Sequence, residues 1–265
     1  MLWGAIIGDI VGSVYEFANI KTKDFPLFRE GSYFTDDTVM TVAIAQAILN
    51  SRKNNTALAD EAIKSMQSLG RAYPDRGYGG AFAGWLLEDN PAPYNSWGNG
   101  AAMRVSTCGW AGNTLEQVKR LSHDVTAVTH NHPEGIKGAE ATAVAIFMAR
   151  TGHSIAEIKK HICDNYYFID FDMDDIRDWY DFDVSCQGTV PQALQAFFES
   201  TSFEDAIRNA ISIGGDSDTI GAITGAVAEA YYGIPNDILA RGKRILTYEL
   251  GEIVKEFNDA IQDKK

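Results

Sequence analysis

Apolar residues recur at three- and four-residue steps in seven stretches: "DTVMTVAIAQAIL", "ALADEAIKSMQSLGRAY", "LEQVKRLSHDVTAVTH", "EGIKGAEATAVAIFMARTG", "TVPQALQAFFES", "FEDAIRNAISIGG" and "DTIGAITGAVAEAYYG". That spacing predicts helices, and the alternation expected of half-buried strands is nearly absent. Starts and stops agree with it. Asp37-Thr38, Ser202 with Asp205 three positions on, and Asp218-Thr219 suit helix N-termini, while Gly152, Gly214 and Gly233 before Pro235 suit C-termini. No Pro/Gly/Ser-rich linker and no repeat period divides the chain. The pattern predicts an all-α bundle with long functional loops, one compact domain over 1–265.

Small residues mark where helices approach closely. Gly4, Gly8 and Gly12 are spaced four apart and form one bare stripe on a helix. Gly221, Ala222, Gly225, Ala226 and Ala228 give another segment a similar small face.

The 265 residues are 45% hydrophobic, enough for a sizeable core. A net charge of −13 argues against broad attraction to a nucleic-acid backbone and leaves room for a localised anion pocket. No apolar run approaches membrane length, and Met1–Val14 carries Asp9 and no basic start, unlike a secretory signal. Cys108, Cys163 and Cys186 lack zinc or CxxC spacing and read as reduced core thiols of a cytoplasmic protein. The acidic run "DFDMDDIRDW" and its continuation to Asp183 reads as a solvated loop or helix face.

Two carboxylate clusters change the picture. "GGDSDT" sets Asp216 and Asp218 two apart behind Gly214 and Gly215, whose freedom at positive φ permits a tight turn, and follows them with Thr219. A helix cap accounts for one aspartate, not for two and a hydroxyl. "YFTDDTVM" repeats the arrangement with Thr35, Asp36, Asp37 and Thr38, and 180 positions separate Asp36 from Asp216. Brought together, four carboxylates would raise one another's pKa or demand a cation, and all-oxygen ligands select hard ions such as Mg²⁺, Mn²⁺ or Ca²⁺. Asp9 and Glu16, seven apart in an otherwise apolar segment, would share a buried polar face directed at the same place.

With "GAIIGDIVGSVYE", "FTDDT", "RGYGG", "WGNGAAMR", "VTHNHPEG" and "IGGDSDTIGAITGAVAEAYYG" in this order over nearly the whole chain, the sequence resembles the ADP-ribosylglycohydrolase family. The resemblance implies an all-α fold with a dinuclear centre of two divalent cations, Mg²⁺ or Mn²⁺. Its ligands would be Thr35, Asp36, Asp37, Asp216, Asp218 and Thr219, with Glu16 and Asp36 in catalytic roles and Asp9 supporting the ligands. "RGYGG", with Gly77, Tyr78, Gly79 and Gly80, would expose backbone N–H groups to a diphosphate. In "WGNGAAMR", Trp97 would offer a stacking wall, Asn99 would orient the loop formed with Gly98 and Gly100, and Ala101, Ala102 and Met103 match contact positions. Some family members carry hydroxyl side chains in this motif, so acceptor preference does not transfer with it. His130 matches a histidine near the ligand, His132 reads as a turn residue beside Pro133, and Val184 as a further pocket wall.

The implied reaction is metal-dependent hydrolysis of the C1″ bond between ADP-ribose and an acceptor, an arginine-type N-glycosidic linkage ahead of serine, nucleic-acid or small-molecule linkages. A monomer acting on ADP-ribosylated protein or another ADP-ribosylated acceptor is expected, with ADP-ribose as product. The rival readings are a non-catalytic ADP-ribose reader and a Ca²⁺-stabilised interaction protein.

Overall fold

A computed structural model describes residues 1–262. Its helices are α1 (Trp3–Gly12), α2 (Asp36–Asn54), α3 (Leu58–Ala72), α4 (Gly80–Leu87), α5 (Gly100–Met103), α6 (Ser106–Ala111), α7 (Leu115–Thr126) and α8 (Pro133–Arg150). They continue with α9 (Ile155–Asn165), α10 (Met173–Arg177), α11 (Cys186–Phe198), α12 (Phe203–Ser212), α13 (Ser217–Tyr232), α14 (Asn236–Ile245) and α15 (Tyr248–Gln262). The fold is all-α, as the periodicity predicts. Among the described residues the β-type pairing is confined to one antiparallel bridge, Gly98 with Ser185.

At the centre α1 lies against α13 along the two glycine stripes. A Cβ at Gly8 would collide with the carbonyl of Gly221, one at Gly4 with the carbonyl of Gly225, and one at Gly12 with the backbone of Ser217 and Asp218. The backbones therefore touch where any side chain would hold them apart, and every residue of α1 is buried. Glu229 of α13 accepts the N–H of Gly4 at 2.8 Å and closes the start of α1. Around this pair the alanine-rich apolar faces of α2, α8 and α11 complete the core.

Helix starts fall close to their sequence signals. Thr35, one residue ahead of α2, accepts the N–H of Asp37, and Ser202 accepts that of Asp205 at 3.1 Å. Asp216 occupies the cap position of α13, although its side chain makes no cap bond. Gly152, Gly214 and Gly233 follow their helices with positive φ. The helix read from Thr189 begins earlier, at Cys186, because Ser185 accepts the N–H of Gly188 and nucleates an extra turn that accommodates Pro191. His132 caps α8 through Nδ1 to the N–H of Glu134, with Pro133 at the first helical position.

Candidate active site

Docking α1 on α13 decides the site. The C-terminus of α1, the N-terminus of α2 and the N-terminus of α13 meet at one point. There Asp9, wholly buried, accepts the backbone N–H groups of Thr35 and Thr38 at 3.0 and 3.1 Å, the Thr35 hydroxyl at 2.8 Å and the Thr38 hydroxyl. A carboxylate from a different helix thus caps α2 and fixes the "FTDDT" turn. Asp9 lies behind the cluster, the supporting place the resemblance implies, but α1 ends at Gly12, so Glu16 comes from the turn beyond it and does not share a helical face with Asp9.

The two acidic turns join. Asp37 Oδ2 accepts the hydroxyls of Thr219 at 3.2 Å and Thr35 at 3.3 Å. One carboxylate oxygen from each of Glu16, Asp216 and Asp218 gathers so that all three lie within 4.8 Å of one another. Asn99 donates to Asp216 at 2.6 Å and to Thr189 at 3.1 Å, which ties the "WGNG" loop to the cluster.

Crowding of like charge in a dry place shows in the protonation equilibria. Burial first, then the charges of Asp216 and Asp9, raises Glu16 to about 7. Burial and the neighbours Asp9 and Asp216 raise Asp36 to about 8; burial with Asp9, Asp36 and Asp216 raises Asp37, and burial with Asp216 and Asp37 raises Asp218, well above their ordinary value. Asp9 is raised to about 6 by burial, its threonine hydrogen bonds working in the opposite direction. Asp37 Oδ1 is buried with no donor within reach. A buried carboxylate oxygen without a donor, among like charges and hydroxyls, is an environment a hard divalent cation satisfies.

The cluster floors a cavity of about 350 Å³, within the size range of small-molecule sites. Glu16, Asp36, Asp37, Asp216, Asp218 and Thr219 line its floor. Gly77, Gly79 and Gly80 form one wall, and Gly98, Asn99, Gly100, Met103 and His130 another. The glycine loop is tied to the first acidic turn by the Asp36 N–H, which donates to the carbonyl of Arg76 at 2.8 Å.

Other expected contact residues stand apart from the lining. Tyr78 packs on Phe82, with ring centroids 5.8 Å apart. Trp97, half exposed, rests on the ring of His132 at 5.2 Å, while Tyr94 reaches the cavity. Ala101 and Ala102 are buried in the core and Thr35 lies behind the floor. Val184 lines the cavity, and its carbonyl accepts the N–H of Asn99 at 2.7 Å.

Several contributors carry no sequence signal. Asn19 donates to the carbonyls of Glu16 at 2.9 Å and Gly215 at 3.0 Å and accepts the Gly215 N–H at 2.8 Å, so it clamps the Glu16 turn onto the Gly214-Gly215 turn. Lys21 donates to the carbonyls of Ile213 at 2.6 Å and Tyr180. Arg104, buried, donates to His130 Nδ1 at 2.8 Å and to Thr129. Because a guanidinium can only donate, Nδ1 accepts and the imidazole proton sits on Nε2, on the side of Gly98 and Gly100. Burial and the adjacent Arg104 charge hold His130 well below its ordinary pKa, so the ring is neutral.

An all-helical frame opens a glycine-walled cavity onto a cluster of carboxylates. The chain belongs to the ADP-ribosylglycohydrolase family, whose profile it matches over residues 1–265. It is 27% identical to the mouse (Mus musculus) ADP-ribosylhydrolase ARH3 over 88% of this chain and 83% of that one. It is 31% identical to an uncharacterised protein of Archaeoglobus fulgidus over 86% and 85%, and 26% identical to the ADP-ribosylarginine hydrolase Tri1 of Pseudomonas putida over 88% and 70%. An ADP-ribosylglycohydrolase-related protein complex shares the fold, with a TM-score of 0.68 at 22% identity over 95% of this chain and 92% of that one. The family acts on ADP-ribosylated substrates, releases ADP-ribose and is generally metal-dependent. No helix among the described residues is long and apolar enough to cross a membrane.

Proposed function

We propose that this enzyme hydrolyses the C1″ N-glycosidic bond of ADP-ribosylated arginine, with Mg²⁺ or Mn²⁺ at the carboxylate cluster. The observation that carries metal-dependent glycosidic hydrolysis is the convergence of five carboxylates on the floor of one glycine-walled cavity. Thr35, Asp36, Asp37, Asp216, Asp218 and Thr219 would hold two cations. When bound, these would polarise ribose hydroxyls and acidify a water.

The protein's own groups do the rest. Glu16 lies on the less buried side of the cluster, at the cavity, which suits it to accept a proton from the attacking water or give one to the leaving nitrogen. Asp36, also on the floor and ionised once the cations are bound, would add negative charge where the ribose acquires oxocarbenium character. Gly77, Gly79 and Gly80 bring backbone N–H groups and the start of α4 to the diphosphate without side-chain obstruction. His130 offers its Nε2–H from a fixed tautomer. Asn99, bonded to Asp216, keeps that carboxylate aimed at the floor.

Release of ADP-ribose from ADP-ribosyl-arginine, ADP-ribosyl-serine and ADP-ribosylated nucleic acid, each with Mg²⁺, Mn²⁺ or EDTA, tests the reading. The expected result is release from the arginine substrate that EDTA abolishes. Binding of ADP-ribose with release from no substrate would make the protein a reader instead.

A further inference from the structure

Phe17 and Phe182 are two exposed aromatic residues at the edge of the acidic site. Phe17 follows Glu16 directly and is 84% exposed; Phe182, 46% exposed, lines the cavity beside Glu16. Their rings stack with centroids 6.3 Å apart and planes 24° from parallel. Single exposed apolar residues are ordinary on a protein surface. Two stacked on each other beside a polar cavity, away from the core, form an aromatic shelf whose outer faces are open to a ligand.

Charge narrows what the shelf can take. Asp181 and Asp183 flank Phe182 and are both exposed, on a molecule of net charge −13. A nucleic-acid acceptor would bring phosphates against these carboxylates and meet repulsion. A planar cation gains both from the ring faces and from the acids, and guanidinium stacks on aromatic faces better than ammonium does. A cavity of about 350 Å³ admits a nucleotide sugar and not a protein, so the acceptor chain stays outside and a side chain long enough to cross the lip must reach in.

We infer that Phe17 and Phe182, backed by Asp181 and Asp183, form the acceptor subsite and bind the guanidinium and stem of an ADP-ribosylated arginine as it enters beside Glu16. The assignment rests on the proposed hydrolysis and names the residues that set its acceptor preference.

The test compares wild type, Phe17→Ala, Phe17→Tyr and Phe182→Ala on arginine-linked and serine-linked ADP-ribosyl peptides. Titration calorimetry with free ADP-ribose, and with agmatine as a guanidinium probe, runs alongside. Phe17→Ala is expected to raise KM for the arginine peptide about fivefold with kcat nearly unchanged. It should lower the arginine-to-serine ratio of kcat/KM by the same factor and weaken agmatine binding, while ADP-ribose affinity stays put. Phe17→Tyr should restore the ratio, and Phe182→Ala should shift it in the same direction as Phe17→Ala. An unchanged ratio, or equal losses on both peptides, overturns the shelf and leaves the hydrolase standing. If wild type releases ADP-ribose from neither peptide, the hydrolase reading falls, and agmatine affinity indifferent to Phe17→Ala would separately overturn the guanidinium subsite.

Discussion

Asp36 sits on the cavity floor with its carboxyl raised to about 8 by burial and by Asp9 and Asp216. Asp36→Ala is expected to lower kcat/KM about 100-fold or more on every ADP-ribosylated substrate; full turnover would remove it from the machinery. Arg104 acts through His130. In Arg104→Met the ring loses a neighbouring positive charge and its Nδ1 donor, so the His130 pKa should rise and ADP-ribose should bind about threefold to tenfold more weakly. A pH titration of the His130 ring protons by NMR checks the first effect, and no movement would dismiss the pairing. At this scale "FTDDT" and "GGDSDT" were legible because carboxylates next to a helix start are unusual in number, not merely in kind. Asn19 was not. A single asparagine in a loop has no pattern, and its partner Gly215 lies 196 positions away.

Among the elements, α1 and α13 hold the acidic turns in register, and their contact has no room for a methyl group. Gly8→Ala drives a Cβ into the carbonyl of Gly221 and is expected to destabilise the fold by about 1–3 kcal/mol or more. Activity should fall with it, because Asp216 and Asp218 ride on α13. Gly251→Ala in α15 is the control, since a Cβ there meets no atom; it should be neutral or stabilising by up to about 1 kcal/mol. Denaturant unfolding separates the two, and equal effects would count against a site-defining glycine contact. Four-residue glycine spacing announced both faces in the sequence. The short helices α5, α6 and α10 did not announce themselves, having four, six and five residues, too few to display a period, and the longer α4, α9, α14 and α15 also lie outside the seven stretches read as helices. The acids of the 170–183 run are exposed as expected, while Met173, Ile176 and Tyr180 anchor the segment and carry Phe182 and Val184 to the cavity.

For the whole molecule, the raised carboxyls link stability to pH and to metal. Asp9, Glu16 and Asp36 bind protons more tightly folded, at about 6, 7 and 8, than at their unfolded values of 3.8, 4.5 and 3.8. Without metal their contribution is full below about pH 4 and is lost as pH rises through 6 to 8. In EDTA the thermal midpoint should therefore fall from about pH 5.5 to about pH 8, and saturating Mg²⁺ or Mn²⁺ should raise it most at pH 8. A gain of about 2.7 kcal/mol is expected at a hundredfold excess over Kd. A flat profile that ignores the metal would argue against the cage.

The sequence by itself determined the seven periodic helices, the glycine stripe of α1 and the two acidic helix starts, because those depend on neighbours three or four residues away. Only the tertiary structure decided that Asp9 caps another helix, that Trp97 turns to His132 while Tyr94 reaches the cavity, and that Phe17 and Phe182 meet at its mouth. Those outcomes depend on how buried backbones dock, and docking joins residues whose separation along the chain leaves no periodic trace.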